Sequence, residues 1–280
     1  MDLLASAHAY CYEGSMKPFP LIAWASLALT AALPVAAHTP YLQPSSFAPR
    51  EGQTVALDAS FAETFFVPET AFDDSAFSVT GPDGATSPLP SQVMKTRTVA
   101  EYTLPKVAGT YRLSTGTRLG ALFRTWEING KRESSRDASV KIPAGAKVIS
   151  DFQSLTLAET YVTARSPDRA ALAPRNKGLE LVAVSHPSDL YVGEEFEFIV
   201  QYDGKSLVAQ PVEITEAVWS SDRKPQVITL ETDAQGHGRM KLEQAGTWVA
   251  LTRFRTPAPA GAPVAEYSNS YTLSFRVLNP

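Results

Sequence analysis

Residues 195–202, Glu-Phe-Glu-Phe-Ile-Val-Gln-Tyr, alternate polar and apolar side chains and then run straight into Asp203-Gly204. A period of two sends successive side chains to opposite faces, which an extended strand satisfies and a helix does not. Asp-Gly supplies the left-handed backbone of a tight hairpin. The same short alternating runs, each closed by turn residues, recur along most of the chain, and this pattern predicts an all-β fold rather than βαβ units. Strands are expected at residues 55–61, 77–80, 111–115, 119–128, 140–147 and 152–165, with a charged hairpin loop at 131–137. A second set is expected at 179–184, 195–202, 212–218, 227–231, 238–242, 247–254 and 270–277. No helix longer than two turns is expected.

The Pro-containing stretch 166–178 has no periodicity and reads as a linker. It divides the mature chain into an N-terminal β-sandwich module, 38–165, and a C-terminal module, 179–280. About seven strands in roughly 100 residues is the count of an immunoglobulin-like or transthyretin-like sandwich, which is the fold expected of the second module.

The first 37 residues are read separately. Lys17 precedes an apolar run over residues 19–33, and Val35-Ala36-Ala37 places small residues where signal peptidase reads them, so export and cleavage after Ala37 are expected. Met16 is a second candidate start, which makes residues 1–15 an upstream extension. The apolar run is short for a membrane span and no other follows, so no integral membrane segment is expected after processing. Cys11, the one cysteine, falls in the discarded part, which excludes a disulfide framework and a thiolate metal or redox site. The chain is mildly acidic, with a formal charge of −4. Lys131-Arg132 and Arg223-Lys224 are isolated basic pairs, not the stripe that nucleic acid requires.

Cleavage after Ala37 would leave His38 at a free amino terminus. Its α-amine and ring Nδ1 can then chelate one divalent transition metal, with nickel, cobalt, copper and zinc all suited to nitrogen donors. Pro40 occupies the third position, where a histidine would otherwise complete a square-planar amino-terminal site. The remaining donors must therefore come from elsewhere in the fold. His186, held extended by Pro187, is the leading second ligand, against its reading as a polar turn residue. Glu63 and Glu69 flank an aromatic segment, 64–68, expected to loop back near the terminus; the alternative is solvated carboxylates around a packed Phe pair. Asp73 and Asp74 follow. His237, between Gly236 and Gly238, is expected in an exposed hairpin tip. Met94 and Met240 suit copper(I) but more often fill a core. Trp126, Trp219 and Trp248 suit a carbohydrate platform or, more commonly, a sandwich core. No nucleophile elbow and no zinc-protease helix motif is present, and no catalysis is expected.

The order of turn signals is more specific than their number. Residues 179–182, Leu-Glu-Leu-Val, lead to His186-Pro187-Ser188-Asp189-Leu190 and Val192-Gly193-Glu194. Asp203-Gly204, then Asp233-Ala234-Gln235-Gly236, then Ala245-Gly246-Thr247-Trp248 follow, and Ala37-His38 through Tyr41-Leu42 opens the mature chain. In these residues the chain resembles the bacterial domain-of-unknown-function 4198 family, associated with the periplasmic component of nickel or cobalt uptake. The resemblance implies a periplasmic protein that binds a divalent metal and works with a membrane transporter or outer-membrane receptor. An extracellular interaction module without metal, and a copper mono-oxygenase with a terminal-histidine site, are the other classes that fit these residues.

Overall fold

The computed structural model describes residues 38–218 and 223–280. The expected signal peptide, Cys11 and Trp219 lie outside the described residues. In chain order the first strands are β1 (Thr39–Pro44), β2 (Thr54–Ala62), β3 (Thr70–Ala71), β4 (Ser78–Thr80), β5 (Thr86–Pro88), β6 (Ser91–Val93), β7 (Thr98–Thr103) and β8 (Gly109–Ser114). β9 (Arg118–Ile128), β10 (Lys131–Ser135) and the 18-residue β11 (Lys147–Ala164) follow. After a 3-10 turn at Ala170–Leu172 come β12 (Leu179–Ala183), β13 (Glu195–Tyr202), β14 (Lys205–Ser206), β15 (Pro211–Glu216) and β16 (Val227–Glu231). β17 (His237–Lys241), β18 (Gly246–Pro257) and β19 (Glu266–Val277) close the chain. The fold is all-β, as the alternation predicts.

The strands form three sheets. One has the order β1-β2-β7-β6, with β3 added to β2; a ten-stranded sheet runs β16-β15-β18-β19-β11-β8-β4-β5, with β9 on β11 and β10 on β9; the third joins β12, β13 and β14, with β17 on β13. β11 organises the large sheet, pairing in parallel with β19 over Phe152 to Thr160 and antiparallel with β8 over Glu159 to Ala164. Alternation along β11 then feeds two cores. Leu157 and Tyr161 pack with Leu181, Phe196, Phe198, Trp248 and Phe275, whereas Ala158 and Val162 pack with Leu42, Leu57, Phe72, Val79 and Leu113. Successive residues of a strand face opposite ways, so one strand serves both clusters. Leu172, in the stretch read as a linker, is buried in the first of them.

Several sequence expectations are corrected here. Of residues 140–147 only Lys147 is in a strand, as the first residue of β11: Pro143 cannot donate to a ladder, and the Ala146 amide instead closes a turn onto the Pro143 carbonyl. Lys131–Ser135 is a strand paired with β9 rather than a loop. His237 opens β17 instead of sitting in a mobile tip, and its Nδ1 lies 2.7 Å from Glu197 Oε1. Gly238 beside it is required, because a Cβ there would collide with the Phe198 ring. Met240 fills the core, but Met94 is exposed. Trp126 and Trp248 are buried, which leaves neither for a carbohydrate platform.

Glu216 closes the far end of β15. It is 4% exposed and receives both Arg223 guanidinium nitrogens at 2.7 Å, and these bonds, with the Gln226 amide, hold its carboxyl below the usual glutamate range. A depressed folded value stabilises the native state above the unfolded value, about 4.3, and that contribution is lost as pH falls. The difference in urea midpoint between wild type and Glu216→Gln is therefore expected to be present at pH 7 and to close at acid pH. A gap that persists undiminished in acid would rule out the ionised pair as its source.

Candidate metal centre

The candidate centre lies at the start of β1. Pro40 and Pro44 suit β1 to the edge of its sheet, where proline's missing N–H breaks no ladder bond. Antiparallel pairing sets Thr39 against Ala62, and β3 folds onto the same end of β2, pairing Phe61 with Thr70. The 63–69 loop is thus returned to the terminus. Inside it, Phe65 and Phe66 pack on the Tyr41 ring at centroid distances of 6.1 and 4.8 Å, and Tyr41 and Phe65 also contact Ala62 and Val249. The expected Phe pair is therefore packed, and it anchors the loop that carries the carboxylates.

Glu69 turns back from this loop to His38. The ring Nε2 is 2.7 Å from Glu69 Oε2, and the Glu63 amide donates to Glu69 Oε1 at 2.8 Å. An ionised carboxylate only accepts, so Nε2 carries the proton and Nδ1 is the nitrogen with a free lone pair. Among the described residues Nδ1 has no hydrogen-bond partner. The Glu69 carboxyl is held below its ordinary range, by the Glu63 amide first and the His38 ring after it, which keeps the acceptor ionised. Both side chains are substantially exposed, at 45% for His38 and 36% for Glu69. Glu63 contributes its backbone, with its carboxylate left in solvent.

His186 is not brought to this centre. Its Nε2 donates to the Asp168 carbonyl at 2.9 Å and lies 3.1 Å from Thr110 Oγ1, and its Nδ1 accepts the Ser188 amide at 3.2 Å. Both ring nitrogens are therefore occupied, in the neutral tautomer. Thr110 also bonds Thr163, whose amide donates to the Phe47 carbonyl, and Phe47 lies past the opposite end of β1 from His38. Six extended residues span about 20 Å. Asp73 is likewise engaged, by Arg118. Among the described residues, no group of three or more His, Cys, Asp or Glu side chains is arranged to hold a metal ion. Of the four candidate ligands, His38 and Glu69 are the two whose side chains the fold unites.

The neighbouring chemistry is polar and half-buried, with Arg97 42% and Asp58 24% exposed. Tyr41 donates to Asp58 at 3.3 Å, and Arg97 donates to the other Asp58 oxygen at 2.6 Å. Burial pushes both the Tyr41 phenol and the Asp58 carboxyl above their ordinary values, with Arg97 opposing the rise at Asp58. A cleft of about 930 Å³ opens along the same sheet, lined by Gln43, Asp58, Gln92, Arg97 and Glu101.

Comparison with known proteins decides the family. A model of the domain of unknown function DUF4198 matches residues 35–256, which takes in His38, Glu69, the whole second core and the first core apart from its β19 residues. The chain belongs to the DUF4198 family. No curated protein matches it. Among solved structures, trypsin-activated alpha-2-macroglobulin from Escherichia coli is 12% identical with a TM-score of 0.23, over 86% of this chain and 16% of that one. A DUF4785 family protein from Legionella pneumophila is 10% identical with a TM-score of 0.24, over 76% of this DUF4198 chain and 51% of that protein. The D0-D1 domain of intimin is 12% identical with a TM-score of 0.20, over 85% and 98%. TM-scores this low fall short of a shared overall fold. Among the described residues no helix is long and apolar enough to cross a membrane.

Proposed function

We propose that the processed chain is an exported, periplasmic protein that binds one divalent transition metal at its amino terminus and takes part in its uptake or delivery, without catalysis. Nickel or cobalt is the preferred cargo, and copper and zinc suit the same nitrogens. In this reading each smaller sheet and the part of the ten-stranded sheet beneath it form a sandwich module, the second of the immunoglobulin-like or transthyretin-like kind. The observation that carries the metal reading is the His38–Glu69 hydrogen bond at 2.7 Å. Metal-binding histidines characteristically donate their second ring nitrogen to a carboxylate, which fixes the tautomer and raises the basicity of the ligating nitrogen. Glu69 is thereby assigned a positioning role rather than a ligand's. The α-amine released by cleavage after Ala37 is the partner donor to Nδ1.

Equilibrium dialysis of the exported chain against nickel, cobalt, copper and zinc tests this. One ion per chain is expected, and Glu69→Ala should weaken binding about 10- to 100-fold. A processed chain that dialyses free of all four ions overturns the proposal.

A second reading, an interaction module of a transport system without metal, is favoured by the edge of the ten-stranded sheet. β16 packs Ile228 and Leu230 on the first core but leaves Val227 54% exposed, and among the described residues it pairs with β15 alone, so its outer main-chain edge is of the kind to which a partner adds a strand. The mono-oxygenase reading loses its second histidine, because His186 and His237 are bonded elsewhere.

A further inference from the structure

The β9–β10 hairpin and the outer end of β11 form an arm that belongs to neither core: no residue from 118 to 150 is a member of the buried clusters. Residues 147–151 of β11 lie beyond its pairing with β19, which begins at Phe152, and they pair with β9 alone. The arm is nevertheless firmly rooted. Arg124, 7% exposed, donates to Asp151 Oδ1 at 3.1 Å, to the Val140 carbonyl at 2.6 Å and to the Pro263 carbonyl. Phe123 stacks on Phe152 at 5.0 Å, with Arg136 over the first ring and Arg255 over the second.

At the tip, cross-strand pairing sets Arg132, Glu127 and Lys147 in one row and Glu133, Trp126 and Val148 in the next, with Lys131 opposite Ile128. The basic pair that looks isolated in the sequence is therefore joined by a lysine 15 residues further on. Residues 127–150 hold five Lys and Arg against three Asp and Glu, in a chain whose formal charge is −4. Lys131, Arg132 and Lys147 are exposed, and none makes an ion pair within 4.0 Å with a described residue. Beside them Val148 and Ile149 are 53% and 44% exposed, with a bulge between Val148 and Ser150 leaving Ile149 outside the ladder.

We infer that this tip docks on an anionic lipid surface, its lysines and Arg132 against the headgroups and Val148 and Ile149 at the acyl boundary. The charge is complementary to such a surface while the rest of the chain is acidic, and long basic side chains let the aliphatic residues between them reach deeper. Nucleic acid is disfavoured, since a phosphate backbone offers the exposed aliphatic residues nothing and the basic patch is short. The inference is independent of metal binding.

The exported chain contains no native cysteine once Cys11 is removed, so Val148→Cys can carry one environment-sensitive dye. Vesicles of phosphatidylglycerol and phosphatidylcholine in equal parts should shift the dye to the blue, and phosphatidylcholine alone or 0.5 M salt should abolish the shift. Each basic residue near such a surface is worth about fivefold in binding. Co-sedimentation of K131E/R132E/K147E with the anionic vesicles should thus fall by on the order of a hundredfold or more. K147E alone, expected to weaken binding at least several-fold, serves if the triple variant does not fold. Absence of binding to anionic vesicles, equal binding to neutral ones, or full binding by the charge-reversed variants would overturn the inference. Binding without a dye shift would overturn the part given to Val148.

Discussion

A chain that keeps Ala37 in front of His38 is expected to bind nickel or copper at least a hundredfold more weakly than the processed form, with no change in its unfolding curve. In the proposed mode two donors share one residue, and the second closes on the metal at an effective concentration set by a few bonds. Joining two binding groups in this way strengthens the pair by about 10²- to 10⁴-fold. A peptide bond at the His38 nitrogen removes the amine donor and leaves a single imidazole, still oriented by Glu69. The retained residue therefore separates the chelate from the ring's own affinity, which His38→Ala removes as well. Isothermal titration of the three forms reads the difference directly. Equal affinities for the processed and extended chains would eliminate the terminal chelate, whatever the Glu69 variant does.

How far this site is legible in the sequence depends on which contact is asked for. The loop back to the terminus is foreshadowed by the aromatic run 64–68, because Phe65 and Phe66 need a hydrophobic partner, and Tyr41 supplies it. The tautomer of His38 is not legible, since it depends on Glu69 lying 31 residues away and on the Glu63 amide that steadies it. His186 misleads for a related reason. Extension before Pro187 is correct in principle, but nothing local reveals that Thr110, Asp168 and Ser188 converge on both ring nitrogens. Among the strands, β13 matches its expected bounds because its alternation is clean and its turn unambiguous. β1 escapes notice because two prolines in six residues argue against a strand anywhere except at an edge. The early start of β11 is hidden by the bulge between Val148 and Ser150, which breaks the period of two where the chain enters the sheet.

β11 also carries the charge on which the stability of the large sheet is most exposed, and Glu159→Ala is expected to cost about 3 kcal/mol in urea unfolding at pH 7. Glu159 is 2% exposed, on the same strand face as Leu157 and Tyr161. Tyr271 donates to its Oε2 at 2.8 Å, while Arg175 and Arg112 stand 3.6 and 4.0 Å from Oε1. Burial, followed by this carboxylate, drives the Tyr271 and Tyr161 phenols well above their ordinary values, so both stay protonated and Tyr271 remains a donor. Removing the carboxylate leaves the Arg112 guanidinium facing a low-dielectric interior without its counter-charge, while Arg175 keeps Glu180 at 3.6 Å, and the penalty for an uncompensated charge exceeds the net worth of the pair. Arg112 and Arg175 retain 11% and 23% exposure, so water recovers part of the loss and the expectation sits at the low end of the usual range. Glu159→Gln keeps an acceptor for Tyr271 and should cost less. The decisive comparison is a double-mutant cycle: Arg112→Met in the Glu159→Ala background removes the orphaned charge and should restore part of the stability. If Glu159→Ala costs less than about 1 kcal/mol, the typical worth of one hydrogen bond, or if Arg112→Met adds to the loss instead of relieving it, electrostatic compensation is not what holds this part of the sheet, and packing of Tyr271 and Tyr161 must do so instead.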